Sequence, residues 1–266
     1  MTRGEVAVSV ILPTYNRAEL LPRSIQTVLG QTYGDLELIV VDDGSEDDTA
    51  SVMRGFSDER IRYLRLSRNL GVSAAQNAGL AEARGAYLAF QGSDDEWHPT
   101  KLERQRRALE SHPEATVAYS DMYRVCADGR ILYLRSPTIV RGSLIDPLTR
   151  FWQTYMLAMQ AVLIRRKGLE DVYFDERLVM FEDLDLNLRL AQHHDYFHLK
   201  EPLVNYYETQ SITANRRWEL KARRQLMRNF GRMLLTTNPG FLIKETVNVL
   251  LRKSLMPIVN QHLTPQ

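Results

Sequence analysis

The spacing of apolar positions changes along the chain, and each change marks an element. Val6-Ala7-Val8-Ser9-Val10-Ile11-Leu12 is a β-branched apolar run closed by Pro13, the pattern of a buried strand. Thr14-Tyr15-Asn16 follows as a loop. Asn16 with Glu19 has the form of a capping box, predicting a helix that reaches Gln31, with Pro22 resetting its first turn. Leu36 to Val41 predicts a second buried strand, running into Asp42-Asp43-Gly44-Ser45 and then a helix over Thr49 to Phe56. Arg60 to Leu66 predicts an edge-like strand, Asn69-Leu70-Gly71 a turn, and Ser73 to Ala83 an alanine-rich helix that Gly85 ends. Tyr87 to Phe90 is again strand-like. After it, Pro99 fits the first turn of a helix that runs to about Ser111.

The rhythm then loosens. Ala115 to Ser120 predicts a strand ending at Asp121, and Tyr123–Val125 with Ile131–Leu134 flank Asp128-Gly129, a hairpin signal. A helix over Leu148 to Met156, a short strand over Ala161 to Ile164, a helix over Leu184 to Ala191 and an extended stretch over Leu199 to Tyr207 complete this part. From Trp218 the pattern is helical and basic. Pro239-Gly240 breaks it, and Phe241 to Val259 carries a second one-sided apolar pattern. Strands alternating with helices predict an α/β fold, a mostly parallel sheet with helices on both faces.

Length and composition add three constraints. At 266 residues the chain can bury a large core without staples. Its one cysteine, Cys126, excludes an internal disulfide and a cysteine-rich zinc site. No apolar run approaches a spanning helix, and the N-terminus lacks a signal-peptide pattern, so a cytoplasmic protein is expected. The net charge of +1 hides an asymmetry: from Ala214 onward ten lysines and arginines face two glutamates. Basic residues beside apolar helical faces suit an anionic inner-leaflet surface, so a peripheral membrane contact through 216–266 is expected. No aromatic-interleaved basic stripe or nucleic-acid motif appears, so no nucleic-acid partner is expected.

The chemistry lies in the acids. Asp42-Asp43 and Asp94-Asp95 each follow a predicted parallel strand, at the edge where open α/β sheets bind ligands. Glu182-Asp183 opens a helix. Neither a Gly-x-Gly-x-x-Gly turn nor a Walker loop is present, so no glycine cradle holds a phosphate. Carboxylates can hold one through Mg²⁺ or Mn²⁺, hard cations that bridge to phosphate oxygens.

Val8 to Arg17, Gln31-Thr32-Tyr33, Leu38 to Thr49, Asn69 to Gly79, Ser93-Asp94-Asp95-Glu96-Trp97, Glu182-Asp183-Leu184-Asp185 and Ser211-Ile212-Thr213 stand in an order that resembles glycosyltransferase family 2. The resemblance covers roughly residues 6 to 215. It implies the GT-A fold: a glycosyltransferase domain over 1–215, with a nucleotide-sugar half over about 1–120 and an acceptor half over about 121–215, followed by a basic helical tail over 216–266. By the same resemblance, Pro13 and Tyr15 pack on the nucleotide base, Asp43 accepts from the uracil N–H, and Asp94 contacts ribose. Asp95 binds Mn²⁺ or Mg²⁺, and Asp183 is the catalytic base. Glu182 beside it is expected to raise its pKa by repulsion.

The implied reaction is metal-dependent transfer, with inversion, from a nucleoside diphosphate sugar, UDP-linked by expectation. The acceptor is a hydroxyl of a lipid-linked or cell-surface glycan. The alternatives are a non-catalytic sugar-nucleotide-binding module and a nucleotidyltransferase. Two departures stand out: Gln91-Gly92 precedes Ser93 where relatives carry Leu-Asp, and Gln76 stands where relatives carry arginine, with Arg68 a candidate substitute. The processive Gln-x-x-Arg-Trp motif is absent, which favours single-sugar addition. His193, His194 and His198 are read as structural, because no zinc-hydrolase carboxylate pattern accompanies them.

Overall fold

Buried β-branched runs form the centre of a nine-stranded sheet. The computed structural model describes residues 6–139, 141–142, 157–167, 172–208 and 216–237. In chain order the elements are β1 (Val8–Thr14), α1 (Leu21–Leu29), β2 (Leu36–Asp42), α2 (Thr49–Arg54), β3 (Ile61–Arg65), α3 (Val72–Glu82), β4 (Tyr87–Phe90) and β5 (Glu96–Trp97). There follow α4 (Lys101–Ser111), β6 (Ala115–Val125), β7 (Ile131–Leu134), a 3₁₀ turn over Met159–Ala161, β8 (Val162–Arg165), α5 (Glu182–His193), β9 (Asp195–Tyr207) and α6 (Arg216–Thr237).

The strand order is β3-β2-β1-β4-β8-β6-β9-β5, with β7 paired to β6. β3, β2, β1 and β4 are mutually parallel, as expected of strand–helix alternation. Beyond β4 the sheet is mixed: β8 lies antiparallel to β4 and β6, β9 is parallel to β6, and β5 is antiparallel to β9. The expectation of a mostly parallel sheet therefore holds for the first half only. There the alternation is regular, whereas β6 and β7 join by a tight hairpin and reverse direction.

Two boundaries differ from the sequence pattern for readable reasons. Pro13 does not end β1. β2 pairs with β1 through Thr14, while β4 stops pairing at Ile11, so Pro13's missing N–H is not needed on that side. Asn16 does not cap α1. That helix starts at Leu21 with Pro22 in its first turn, the place where proline's missing donor costs nothing. Asn16 instead takes φ 51°, its amide donating to Ser45 Oγ at 2.9 Å and its Oδ1 accepting from Glu46 N–H at 2.8 Å. It latches the loop after β1 to the loop after β2.

The core is continuous from β1 and β2 into β6 and β8, with Val10, Ile11, Leu38, Ile39, Val117 and Leu163 fully buried. Gly79 lets α3 pack against β1 and β2, since a Cβ there would stand 2.5 Å from Ile11. Lys101 is fully buried at the start of α4, its Nζ donating to Gln105 Oε1 at 2.8 Å and lying 4.0 Å from the Trp97 ring centre. Burial lowers its pKa well below the usual lysine range.

The chain separates into two compact units, Met1–Glu176 with Glu182–Ser211, and Arg177–Phe181 with Ile212–Gln266. The second contains α6, whose Leu220, Ala222, Leu226 and Phe230 are buried and whose Glu219 pairs with Arg223. Among the described residues no helix is long and apolar enough to cross a membrane. The helix expected over Leu148–Met156, the Ser211-Ile212-Thr213 motif and the segment from Phe241 lie outside the described residues.

Candidate active site

β1 and β4 end side by side, Ile11 opposite Phe90, and the loops leaving them build the site. The Gly92–Glu96 loop is gripped from two directions. From α1, Ser24 Oγ donates to Gly92 O at 2.6 Å and the Arg23 guanidinium to Asp94 O at 2.7 Å. From β9, Asn205 and Val204 pair with Glu96 and Trp97 of β5, and Tyr207 OH donates to Glu96 at 2.9 Å. Arg23 also stacks on Tyr207 at 3.9 Å and lies 3.1 Å from Glu96. A loop tied to a helix and a strand is held more narrowly than one fixed by its own turn.

Asp95 is 2% exposed. Its Oδ1 accepts from Tyr207 N–H at 2.9 Å and its Oδ2 from the Gln160 amide at 2.7 Å. Burial first, and then the charge of Asp94, push its carboxyl up to about 8. Gly92 makes this placement possible, because a Cβ there would stand 2.6 Å from Asp95 Oδ2. Asp94 keeps part of its surface open, and Arg17 lies 3.7 Å from its Oδ2.

Among the described residues, no three His, Cys, Asp or Glu side chains group closely enough to hold a metal by themselves. One buried carboxylate nevertheless fits Mg²⁺ or Mn²⁺ beside a diphosphate, since such sites use one or two protein carboxylates and complete their shell from phosphate and water. Asp95 is the residue that would hold the ion, and the ion would supply the charge that neutralises a departing diphosphate.

Across β1, the loop after β2 carries Asp42 and Asp43. Asp42 is fully buried and accepts from Tyr63 OH at 2.6 Å and Ser45 N–H at 2.8 Å, a structural role. Asp43 accepts from the amides of Leu70 and Gly71 at 2.7 and 2.8 Å. Those bonds order the 68–71 loop, and each carboxylate oxygen keeps a second acceptor site. Tyr15 is 39% exposed and Pro13 is partly exposed, so both present surface at the same sheet edge. Asn77, from the Asn69–Gly79 motif, is spent on structure, bonding to Phe174 O and Glu176. Gln76 is buried with its Oε1 lacking a protein donor, and Arg68 is exposed.

Gly44 sits under the 68–71 loop with φ +74°, and a Cβ there would stand 2.5 Å from the Arg68 backbone. Gly44→Ala is therefore expected to cost about 2–4 kcal/mol of stability through backbone strain and collision. Urea unfolding measures this, and calorimetry should show weakened nucleotide binding because the loop bonded to Asp43 is displaced.

Glu182 and Asp183 open α5, next to Phe181, whose φ of 66° is unusual for an aromatic residue. Asp183 Oδ1 accepts from Leu184 N–H at 2.7 Å. Both acids are closely surrounded yet keep some solvent contact, as side chains facing a cleft do. Burial raises Asp183 to about 6; burial and the repulsion of Asp183 raise Glu182 to about 8. Desolvation is the first cause for both acids, and two neighbouring carboxyls raised in this way titrate as a pair.

Tyr206 is partly buried near the end of β9, and its hydroxyl is raised by burial first and then by the charges of Asp95 and Asp94. Arg23, Gln160, Tyr206 and Tyr207 were not legible as site residues. They come from α1, the 3₁₀ turn and β9, and only the Tyr206-Tyr207 doublet closing an extended stretch offered a signal. His198 and His194 are structural as expected: His198 Nε2 lies 2.7 Å from buried Asp121, and His194 faces Thr116 at 3.3 Å.

A parallel half-sheet, a paired-aspartate loop at its edge and a carboxylate at the start of α5 define a nucleotide-sugar transferase of the GT-A fold. The profile of Glycosyl transferase family 2 matches residues 9–173, and the chain belongs to that family. It is a glycosyltransferase. It is 27% identical over 228 residues to the UDP-Glc:alpha-D-GlcNAc-diphosphoundecaprenol beta-1,3-glucosyltransferase WfaP of Escherichia coli, covering 84% of this chain and 86% of that one. The matches to two other relatives, TuaG of Bacillus subtilis and ExoO of Rhizobium meliloti, cover 47% and 53% of those proteins' own length. Among solved structures, S. aureus TarS 1-349 in complex with UDP-GlcNAc has TM-score 0.65 at 18% identity, covering 92% of this chain and 79% of TarS. The mannosyltransferase PcManGT of Pyrobaculum calidifontis, in complex with GDP-Man and Mn²⁺, has TM-score 0.58 at 17% identity, covering 93% and 74%.

Proposed function

We propose that this chain transfers one sugar from a UDP-sugar to a hydroxyl of a lipid-linked glycan, with inversion and with Mn²⁺ or Mg²⁺. The observation that carries the reading is the Asp94-Asp95 loop at the end of the parallel half-sheet, with Asp95 buried and bonded to Tyr207 N–H and the Gln160 amide. A buried carboxylate at that edge suits a cation beside a diphosphate, and Asp183 at the start of α5 is a second carboxylate for the acceptor's proton. In an inverting displacement the acceptor oxygen bonds to the sugar carbon as the carbon–diphosphate bond breaks on the opposite face; Asp183 would take the acceptor's proton, and Asp95 would hold a cation that neutralises the departing diphosphate.

In this reading Pro13 and Tyr15 pack on the base and Asp43 accepts from the uracil ring. Asp94 meets the ribose, Asp95 holds the cation, and Asp183 takes the proton. UDP is favoured because Asp43 is a pure acceptor when ionised and uracil presents a ring N–H. The lipid-linked acceptor is supported by the relative from E. coli, whose acceptor is a sugar on diphosphoundecaprenol. The direct test incubates the protein with UDP-glucose, UDP-GlcNAc or UDP-galactose, Mn²⁺ and a polyprenyl-diphosphate-linked GlcNAc. Sugar appearing on the lipid supports the reading. UDP binding without transfer or donor hydrolysis under any pairing would move the chain to a binding module.

A further inference from the structure

Lys101 and Gln105 are fully buried on the first turns of α4 and have no part in the chemistry described so far. Polar side chains removed from water stabilise a fold only through the partners they gain. The partners here converge on one segment. Gln105 Nε2 donates to Ala161 O at 2.7 Å and also reaches Ala118 O of the neighbouring β6 at 3.4 Å. Lys101 Nζ donates to Gln105 Oε1 at 2.8 Å and to Val162 O at 3.3 Å. Ala161 and Val162 directly follow Gln160, whose amide donates to Asp95 Oδ2 at 2.7 Å.

The sheet alone does not hold Gln160. β8 begins to pair with β6 at Val162 and with β4 at Leu163. Gln160 precedes both, in a turn closed by Ala161 N–H donating to Ala158 O at 3.0 Å. Its side chain is long and half-buried, with rotamer freedom to lose. The amide stays on Asp95 when the backbone beneath it is fixed, and Gln105 with Lys101 fixes it at two successive carbonyls. The same Lys101 Nζ lies 4.0 Å from the ring centre of Trp97, two residues after Asp95. One buried bracket therefore spans the chain leaving Asp95 and the chain leaving Gln160.

Asp95 depends on that bracket at one of its two oxygens. Its Oδ1 is held by Tyr207 N–H, a backbone donor on β9. Its Oδ2 is held by Gln160, a side-chain donor. One donor on each oxygen sets the plane of the carboxylate and leaves each oxygen a further acceptor site, the kind a cation takes.

We infer that Lys101 and Gln105 are positioning residues for cation binding: they hold the Met159–Ala161 turn so that Gln160 orients Asp95. Neither touches the cation or the donor, and both act through the Gln160 amide. The inference rests on the cation at Asp95 proposed above.

The test has one arm that needs neither metal nor donor: solvent exchange of the Gln160 side-chain amide in the ¹⁵N-labelled full chain. Its signals are identified by their loss in Gln160→Met, a change at a half-buried position. In the wild type they should exchange slowly. In Lys101→Met and Gln105→Met, each neutral and of similar length, exchange should be roughly tenfold faster while thermal unfolding stays cooperative. Fast exchange in the wild type, or unchanged exchange in either folded variant, would overturn the inference. Calorimetry of UDP with Mn²⁺ then separates positioning from a role in the core alone. Gln160→Met and Lys101→Met should each need roughly tenfold more Mn²⁺ for half-saturation, and the double variant no more than either alone. A wild-type Mn²⁺ requirement in the single variants, or effects that multiply in the double variant, would mean that Lys101 does not act through Gln160. Wild-type UDP binding that needs no Mn²⁺ would remove the cation and with it this role, whereas the amide exchange reports on the bracket itself, so the two failures are told apart.

Discussion

Asp183→Asn is expected to bind UDP-sugar as the wild type does and to transfer the sugar roughly 10²–10⁴-fold more slowly, the usual contribution of a positioned general base. The substitution keeps the bond to Leu184 N–H, because an amide oxygen accepts as Oδ1 does. It removes the proton acceptor. The neighbouring acid makes the control. Burial and the charge of Asp183 raise Glu182, so Glu182→Gln removes a charge that the fold already disfavours. That variant should keep most of its activity, within about fivefold of wild type. The pH profile follows from the same pair. Asp183 must be ionised to accept a proton, and burial holds it up to about 6, so kcat/KM should climb with pH through that value. An unchanged acid limb in Glu182→Gln would agree with desolvation as the cause. A limb displaced toward acid would restore repulsion as the main effect.

Asp95→Asn is expected to abolish cation-dependent donor binding and, in EDTA, to raise thermal stability at pH 7.5 by about 5 °C. Asparagine can accept from Tyr207 N–H, and the Gln160 carboxamide can turn its oxygen toward the new amide. The charge is what changes. A carboxyl raised to about 8 in the fold binds a proton that the unfolded chain releases near pH 4, so native stability falls as pH rises between those values. The variant has no such ionisation. Its advantage should therefore vanish near pH 4 and be largest near pH 8, as scanning calorimetry at several pH values measures. A variant less stable than wild type at pH 7.5 would mean that the two hydrogen bonds outweigh the cost of burying the charge.

Much of the first half of the fold was legible because the strands are buried on both faces and read as unbroken apolar runs. Val10, Ile11, Leu38 and Ile39 are fully buried, and no competing periodicity obscures them. The hairpin at Asp128-Gly129 was legible for the opposite reason, a turn whose chemistry admits few alternatives; Gly129 takes φ +83°. β5 escaped because two residues carry no period, and it exists only through its pairing with β9. Asn16 misled because an asparagine followed by a glutamate fits both a helix cap and a left-handed latch, and Pro22 decides between them. The carboxylates announced themselves by position, at strand ends and a helix start. Their partners did not: Gln160 and Tyr207 reach Asp95 from more than sixty residues away, a distance across which local patterns carry no information.

In the proposed function, Asp95 and its surroundings hold a UDP-sugar through a divalent cation. The most direct measurement is calorimetric titration of UDP into the wild-type protein, once with Mn²⁺ and once with EDTA, with GDP, CDP and dTDP as comparisons. UDP binding should require the cation and disappear in Asp95→Asn while that variant stays folded. UDP binding equally well in EDTA, or no nucleoside diphosphate binding to the folded protein under either condition, would contradict it.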